Sequence, residues 1–459
     1  MPSLLDRVYL GSPRLLQDLF VSLKGFQLER QRRTGEYGRF LGEIRARDRY
    51  AATDFEEYQL RRLNEMLAIA SAETRHYRQT FRDAGVEGIQ LSRLADLSRI
   101  PLLPKSALRG DSRALVPSRF EPENLLAFQT TGTTGSPTTI YSTRIARQEN
   151  YAHFDHFFES VGLDPQGRRA VFAGRVLQRG EDMQPPFWRR SVFQNTLLFS
   201  SYHLTDDTLP QYLSALQRFA PTVIEGYPSA LSRLATLLLD RPDHGLRPLG
   251  VVTSSETLLA SQREVIERAF QCRVYDQYGA AEMCIFVAQC RLGSYHVRPD
   301  YGIVELLNGD RPVSAGEEGE VVCTGFINQG MPLIRYRIGD YARWSDGPCD
   351  CGLVTPILAE IIGRMDDVVV TPEGRHVGRL SPVLKGFPVS EGQYIQESDG
   401  SLHVLLVIAP EFHDGIIPAI EESLRKRVGP TIPVVFRKVP SIERGPGGKF
   451  RAVISRFRR

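Results

Sequence analysis

Short apolar segments alternate with helical segments over residues 222–279, and this alternation restricts the fold more than any other feature of the chain. The strand candidates at residues 222–224, 249–253 and 273–275 are short and apolar, and the first two contain β-branched pairs. Helical segments at residues 229–239 and 260–270 separate them. A strand–helix–strand order of this kind favours a parallel sheet covered by helices. The sequence therefore predicts an α/β protein.

Each of these predicted strands ends in a polar or glycine-bearing turn. The turns occupy residues 225–227, 254–256 and 277–279. In open α/β sheets, ligands bind beyond the carboxyl ends of the strands. We therefore expect the three turns to converge on one binding site.

The chain has 459 residues, which is too long for one ordinary hydrophobic core and indicates two or more domains. Residues 1–110 are predicted to be mostly helical, because apolar side chains recur on one helix face between residues 55 and 81. Residues 111–363 hold the α/β pattern. Within them, residues 300–345 alternate like antiparallel strands and are predicted to form a small β-barrel-like part. The predicted large domain therefore combines parallel or mixed sheets with helices.

Residues 364–459 are predicted to form a small, mobile α+β C-terminal domain. Strands are expected near residues 367–370 and at residues 402–408, and a helix is expected at residues 416–427. A glycine-rich stretch at residues 445–449 follows.

Composition excludes several classes of protein. The net charge is +3, so nothing calls for nucleic acid or an anionic membrane as a partner. The N-terminal residues carry charge where a secretory signal would be apolar, and no apolar stretch is long enough to span a bilayer. Six cysteines do not form a disulfide framework in a chain of this length. A cytoplasmic location is the expectation, and the sequence leaves open whether the protein forms a homodimer.

The strongest local signal is the segment 128–138, Phe-Gln-Thr-Thr-Gly-Thr-Thr-Gly-Ser-Pro-Thr. Its two glycines let several backbone N–H groups point into one concavity, and its threonines add hydroxyl donors, as a polyphosphate requires. It is not a Walker loop, because no Gly-Lys-Ser/Thr follows. The alternative interpretation is a flexible linker. The candidate phosphate-binding residues are Thr130, Thr131, Gly132, Thr133, Thr134 and Gly135.

This loop resembles the phosphate loop of the adenylate-forming superfamily, which includes acyl-CoA ligases, adenylation domains of peptide synthetases and luciferases. Further motifs similar to those of the superfamily follow in the expected order. They are residues 278–282 (Tyr-Gly-Ala-Ala-Glu), 336–340 (Tyr-Arg-Ile-Gly-Asp), 363–367 (Gly-Arg-Met-Asp-Asp) and 447–449 (Gly-Gly-Lys). The resemblance covers residues 55–459 and is closest to the phenylacetate–CoA ligase branch. Residues 253–256 and 374–380 favour its capsular-polysaccharide-type members.

The resemblance implies ATP-dependent conversion of a carboxylic acid into an acyl-adenylate, followed by acyl transfer to coenzyme A. Lys449 would bridge the carboxylate and the α-phosphate, and Glu282 would bind Mg²⁺, since a hard cation prefers carboxylate oxygen. Tyr278 would stack on adenine and Asp340 would accept the ribose hydroxyls. The remaining residues assigned to the nucleotide site are Ser255, Glu256, Gly279, Ala280 and Arg364, and both Arg364 and Thr130 also count as catalytic candidates. Ser136 departs from the lysine found at this position in many members, which removes one positive charge.

The small domain would rotate about residues 363–366, because adenylation and acyl transfer need different groups beside the same acyl carbon. Two alternatives remain open. The acyl group could pass directly to an amine, a hydroxyl or a carrier thiol in polysaccharide or secondary-metabolite biosynthesis, or the protein could bind nucleotide without turnover.

The acid should bind near the ends of the three predicted strands. Residues there are compatible with an aromatic or otherwise planar acid. The candidates for the substrate pocket are Tyr202, His203, Tyr227, Tyr275 and Gln277. A lone histidine such as His203 is more often structural than catalytic.

A second candidate site consists of Cys290, His296, Cys349 and Cys351. Three thiolates and one imidazole form a closed tetrahedral set that suits structural Zn²⁺. Similar Cys/His sets occur in the branch that the chain resembles. The alternative is that these cysteines are small hydrophobic core residues.

Overall fold

The computed structural model describes residues 4–130, 138–173, 175–179, 182–364, 369–372, 376–377, 380–384, 386–444 and 450–457. The α-helices of these residues are α1 (Leu4–Gly11), α2 (Arg14–Arg32), α3 (Tyr37–Arg47), α4 (Ala52–Glu73), α5 (Arg75–Asp83), α6 (Lys105–Asp111), α7 (Arg144–Ser160), α8 (Leu209–Phe219), α9 (Pro228–Leu239), α10 (Ala260–Phe270) and α11 (Ile417–Val428).

The strands are β1 (Leu126–Thr130), β2 (Thr138–Ser142), β3 (Arg169–Phe172), β4 (Trp188–Ser191), β5 (Thr196–Phe199), β6 (Val223–Gly226), β7 (Gly250–Ser254), β8 (Val274–Gly279), β9 (Phe286–Gln289), β10 (Tyr295–Val297), β11 (Gly302–Asn308), β12 (Arg311–Pro312), β13 (Glu318–Gly325), β14 (Tyr336–Trp344), β15 (Ile357–Arg364), β16 (Val369–Val370), β17 (His376–Val377), β18 (Val389–Gln396), β19 (Leu402–Ile408), β20 (Val434–Lys438) and β21 (Val453–Ser455).

Thirteen of the described strands form one mixed sheet, in the order β12-β11-β13-β14-β15-β10-β9-β8-β7-β6-β3-β5-β4. The stretch from β5 through β3, β6 and β7 to β8 is parallel, and its neighbours on both sides pair antiparallel. The predicted α/β class is confirmed. Strands β11 to β14 fall in residues 300–345, for which a small barrel-like part was predicted, and together with β15 they continue this sheet as its antiparallel half.

The predicted βαβαβ segment corresponds to β6, α9, β7, α10 and β8. Helix α9 buries Leu231, Leu234 and Leu238 completely, at the spacing that one helix face requires. They pack with Ile224 and Val251 of the strands in one core cluster. Truncating one of these leucines to alanine typically costs about 2–5 kcal/mol of stability.

Helices α4 and α5 cover the antiparallel half of the sheet. Helix α4 begins where the Asp54 carboxylate accepts the Ala51 backbone N–H at 2.8 Å. It buries Leu63, Leu67 and Ala70, as the sequence pattern predicts. These side chains share a core cluster with Tyr336 of β14.

The Tyr-Arg-Ile-Gly-Asp motif lies within β14, inside the region that was predicted to alternate like antiparallel strands. Tyr336 pairs with Cys323 of β13 and also forms a bridge to Leu103 in the segment before α6. Buried and partly exposed side chains alternate along the strand from Tyr336 to Ala342. This alternation aims Tyr336 and Asp340 toward the interior.

The C-terminal residues form a separate four-stranded sheet, in the order β20-β19-β18-β21, with its own apolar core. Strand β19 agrees with the prediction, and α11 lies within one residue of it. Strand β18 was not predicted. Of the strand expected near residues 367–370, the described part is Val369–Val370.

Candidate active site

The carboxyl ends of β7 and β8 open into a cavity of about 750 Å³. The turns after both strands contribute to its wall, whereas residues 225–227 after β6 do not line it. The antiparallel strands β14 and β15 supply further wall residues, and residues 450–453, which lead into β21, close the cavity. Two of the three predicted turns therefore converge on one site.

Two of the sequence motifs meet directly in this cavity. The Tyr278 hydroxyl donates a 2.7 Å hydrogen bond to Asp340 Oδ2. Burial raises the pKa of Tyr278 well above its usual range, so this hydroxyl remains a neutral donor. The bond orients the Asp340 carboxylate.

Glu282 lies on the turn after β8 and is almost completely buried. Its Oε1 accepts the Tyr336 hydroxyl at 3.3 Å, which links it to β14. Gly279, two residues after Gln277, leaves no room for a side chain at the cavity wall. A Cβ there would lie 2.7 Å from Gln277 Nε2 and 3.2 Å from the Ile285 carbonyl oxygen.

The turn after β7 contacts both the large α/β part of the chain, at Ser229, and the C-terminal residues, at Phe450. Ser255 adopts a φ of +71°, a conformation that costs a residue with a side chain about 1–3 kcal/mol and is found mostly at functional sites. The next residue, Glu256, accepts the backbone N–H of Ser229 in the first turn of α9 at 3.1 Å. Its other oxygen accepts the backbone N–H of Phe450 at 2.6 Å. Burial raises the pKa of Glu256, while the two N–H donors favour its ionised form.

Several predicted site residues lie outside the described residues. They are Thr131, Gly132, Thr133, Thr134, Gly135 and Lys449, and the same holds for the side chains of Thr130 and Arg364. The neighbours of the phosphate loop are described: Gln129 and Thr138 both line the cavity, and Thr130 pairs with Thr138 in the β1–β2 hairpin. Phe450, which directly follows Lys449, also lines it.

Of the residues predicted for the substrate pocket, the structure places Gln277 at the cavity wall. Tyr202, His203, Tyr227 and Tyr275 do not line it. His203 bonds to Ser200 Oγ at 2.7 Å, a local contact of the kind expected for a structural histidine. Tyr275 lies on the same face of β8 as Gln277 but two residues further from its end, where it packs into the core.

Helix α7 supplies pocket residues that the sequence analysis missed. Arg147, Asn150, Tyr151 and Phe154 line the cavity from this one helix. Their spacing of i, i+3, i+4 and i+7 marks a single helix face, but that spacing alone does not distinguish a face that lines a cavity from one that lines a core. The Phe154 ring contacts Phe286 edge-on at 5.0 Å between centroids.

Three cations line the cavity close to the β1–β2 hairpin. Arg147 lies over the Phe128 ring at 4.3 Å and donates from Nε to Ser142 Oγ at 3.2 Å. Burial lowers the pKa of Arg147, although the guanidinium stays charged. Lys105 and Arg109 approach from α6. These residues line the same cavity as Gln129 and Thr138, the described neighbours of the predicted phosphate loop.

The predicted cysteine–histidine set is assembled in the structure. The ligand atoms of Cys290, His296, Cys349 and Cys351 all lie within 4.8 Å of one another. The sulfur atoms of Cys290 and Cys349 are 3.8 Å apart. Two thiolates bound to a tetrahedral zinc ion at about 2.3 Å also stand about 3.8 Å apart.

The histidine of this cluster is oriented by a neighbour. His296 Nε2 faces Cys351 Sγ at 3.3 Å, and Nδ1 bonds to Thr355 Oγ1 at 2.8 Å. A partner on the second ring nitrogen is usual for metal-ligating histidines. The cluster connects the β9–β10 segment to the loop between β14 and β15. None of its four residues lines the cavity, so the cluster lies outside the candidate active site.

Known proteins resemble the chain along most of its length. The family model described as the CapK C-terminal domain matches residues 369–456. Protein CapK of Staphylococcus aureus is 26% identical over 99% of this chain and 100% of its own. Phenylacetate-coenzyme A ligase of Thermus thermophilus is 24% identical over 86% of this chain and 95% of its own.

The solved structures agree with this assignment at the level of the fold. A 2-hydroxyisobutyryl-CoA ligase in the postadenylation state superimposes with a TM-score of 0.71, at 21% identity over 89% of this chain and 91% of its own. The same enzyme in the thioesterification state gives a TM-score of 0.58, at 22% identity over 89% and 91%. No helix among the described residues combines the length and apolarity needed to cross a membrane. The chain is therefore a relative of CapK and of the phenylacetate–coenzyme A ligases, and it has the fold of the adenylate-forming ligases, as its motifs predict.

Proposed function

We propose that the protein uses ATP to convert a carboxylic acid into an acyl-adenylate and then transfers the acyl group to coenzyme A. The observation that carries this proposal is the bond from Tyr278 to Asp340 in a cavity that also contains Glu282 and is closed by Phe450, next to Lys449. A protein that only bound nucleotide would not need Glu282 and Lys449. The relatives named as phenylacetate–coenzyme A ligases support the same reaction.

In the first step, a carboxylate oxygen attacks the α-phosphorus of ATP and pyrophosphate leaves. Asp340, positioned by Tyr278, would hold the ribose. Glu282 would hold Mg²⁺, which would neutralise phosphate charge when bound. Lys105, Arg109 and Arg147 would supply cationic charge near the phosphate loop.

In the second step, the thiolate sulfur of coenzyme A attacks the acyl carbon and AMP leaves. Lys449 would have to withdraw from the acyl carbon for this attack, because both groups need the same space. We therefore propose that the C-terminal unit, residues 364–459, rotates between the steps about Gly363. Gly363 has a φ of +98°, which favours glycine, and its position at the end of β15 is compatible with such a pivot.

The residues of the pocket favour an aromatic or planar acid. Phe154, Phe286 and Tyr301 form one wall, and Gln277 adds an amide on the cavity side. The Tyr301 hydroxyl donates to Asn150 Oδ1 at 2.8 Å, which holds the ring in place. Flat aromatic walls of this kind stack on planar substrates.

A panel of aromatic and aliphatic acids tests the proposal. Pyrophosphate release is measured with ATP and Mg²⁺, and the products are identified by mass with and without coenzyme A. We expect acid-dependent release, highest with aromatic acids, and an acyl-CoA product. ATP binding without release for any acid would instead indicate a nucleotide-binding protein, and acyl transfer to an amine, hydroxyl or carrier thiol would redirect the second step.

The contact between Glu256 and Phe450 supports the proposal that the described arrangement belongs to adenylation. The higher TM-score to a related fold in its postadenylation state, compared with its thioesterification state, agrees with this interpretation. We expect Glu256→Gln to slow pyrophosphate release about tenfold, because the glutamine N–H₂ would face one of two N–H donors. Transfer from pre-formed acyl-adenylate should change less than about twofold, since this contact would already be broken.

Both half-reactions are to be followed on the same protein preparations. Glu411→Gln, a change at an exposed carboxylate of the C-terminal unit, is the matched control. Equal losses in both half-reactions would argue against a contact specific to adenylation.

We further propose that Cys290, His296, Cys349 and Cys351 bind a structural zinc ion. The closed set of four donors and their spacing support it. Cys349→Ser is expected to lose the metal and most of the soluble yield together, because binding a structural ion contributes directly to folding. Elemental analysis of protein purified without chelators is the measurement, with Cys272→Ser as the control. Wild-type protein that contains no zinc would contradict the site.

A further inference from the structure

Helix α2 packs against the protein with its polar side. Gln17 is 1% exposed and accepts the buried Arg189 Nε at 2.6 Å. The Ser22 hydroxyl donates to the Arg190 carbonyl oxygen at 3.1 Å. Gly25 faces Ser191 so closely that a Cβ would lie 2.3 Å from its hydroxyl oxygen. The helix is thus fixed on β4 by hydrogen bonds and close backbone approach rather than by apolar side chains.

The apolar side of the same helix faces outward. Its large side chains are between 40% and 84% exposed, and they are Leu15, Leu16, Leu19, Phe20, Leu23 and Phe26. Phe193, in the turn after β4, extends this surface and contacts Phe26 at 5.0 Å between ring centroids. We call this set, with Phe193, the α2 face. A 19-residue helix presents it over about 28 Å, far more than the scattered exposed hydrophobic residues of an ordinary surface.

The charges around the α2 face have one sign. Lys24 and Arg30 are exposed beside its leucines. The acidic residues of the helix are turned toward the protein: Asp18 accepts the Arg190 backbone N–H at 2.9 Å, and Glu29 pairs with Arg33 at 2.7 Å. An apolar helix face that is flanked by cations, and on whose described helix α2 neither acidic side chain is turned outward, is complementary to an anionic lipid surface.

We propose that the protein binds peripherally to anionic membranes through the α2 face, with the helix lying in the plane of the headgroups. A second copy of the chain fits less well, because a symmetric pairing would bring Lys24 and Arg30 onto a surface that offers them no acidic partner. The proposal departs from the sequence-based expectation of no membrane partner, which rested on net charge and the absence of a spanning segment. It is independent of the proposed catalytic function.

The location of the α2 face leaves the cavity accessible. Strand β4, on which α2 packs, is the last strand at one end of the large sheet. Neither α2 nor β4 contributes to the cavity wall. Membrane binding through this face would therefore hold the cavity near the bilayer without covering it.

Flotation with lipid vesicles tests the proposal on the full chain. Vesicles of phosphatidylcholine with about 30% phosphatidylglycerol are compared with vesicles of phosphatidylcholine alone, the anionic lipid supplying the surface charge. We expect wild-type protein to float with the anionic vesicles and at least about tenfold less with the neutral ones. Lys24→Ala with Arg30→Ala should reduce this preference.

Leu19→Ser with Leu23→Ser should lower vesicle binding at least about tenfold, because it removes apolar surface from the centre of the face. Leu249→Ser with Val435→Ser removes similarly exposed apolar residues elsewhere and should bind like wild type. Circular dichroism and thermal unfolding verify that both variants fold. Equal flotation of the two double variants would overturn the proposal. No flotation of wild type would overturn it too, and a dimer in light scattering that only Leu19→Ser with Leu23→Ser disrupts would assign the face to a second copy.

Discussion

Replacing Lys449 with alanine is expected to reduce acid-dependent pyrophosphate release by at least about 100-fold, while ATP affinity changes only a few-fold. The reason is that the lysine would act mainly on the charge that develops when the carboxylate attacks the α-phosphorus. Its position next to Phe450, which lines the cavity, agrees with that role. Pyrophosphate release under saturating acid, together with ATP binding by calorimetry, measures the two quantities separately.

The control for this variant is Lys438→Ala. Lys438 belongs to the same C-terminal unit, where it pairs with Asp414 at 2.8 Å on the surface. Its loss should leave the rate unchanged, because exposed ion pairs contribute little. Release at the wild-type rate from the Lys449 variant would remove this lysine from the proposed mechanism.

Glu282→Gln is expected to lower kcat/KM for ATP about 100-fold and to raise the Mg²⁺ concentration needed for half-maximal rate. The substitution keeps the shape of a nearly fully buried side chain but removes the negative charge that a hard cation requires. The measurement is a Mg²⁺ titration of pyrophosphate release at fixed ATP.

Tyr336→Phe distinguishes the loss of the Glu282 charge from the loss of a hydrogen bond to Glu282. It removes only the 3.3 Å hydrogen bond to Glu282 and leaves the carboxylate in place. We expect a loss of less than about tenfold, without the change in Mg²⁺ dependence. An identical Mg²⁺ dependence in Glu282→Gln and wild type would show that this carboxylate does not bind the metal.

Much of the fold follows from local patterns in the sequence. The periodic leucines of α9 and the β-branched segments around Val223 and Val251 identify the parallel sheet, since burial on both faces demands near-continuous apolar strands. The periodicity of apolar residues alone does not predict the Tyr278–Asp340 contact. Only the order of the motifs connected residues 62 positions apart, and the antiparallel strands between them place the two side chains together.

The errors have physical reasons. Tyr275 was expected in the pocket because it belongs to a strand that reaches it, but only residues 276–279 of β8 line the cavity. Arg147 and Phe154 were missed because a helix face that lines a cavity has the same spacing as one that lines a core. The inverted packing of α2 escaped prediction because an apolar helix face is expected to be buried, and Gln17, which holds the opposite side in place, is polar.

Strand β15 connects the cysteine–histidine cluster to the proposed pivot at Gly363. It starts beside Thr355, the partner of His296, runs along the cavity wall, and reaches Gly363 while hydrogen-bonded to β14 over its length. A strand that is hydrogen-bonded along its length is a rigid connection to the C-terminal unit and not a flexible linker. Lys449 would therefore move only by rotation of the C-terminal unit about Gly363, and its arrival at the acyl carbon would depend on how often that rotation occurs. Each turnover would then include this rotation between the two half-reactions. A more viscous solvent or a stiffer pivot would therefore lower the turnover rate even where every contact with the substrate is preserved.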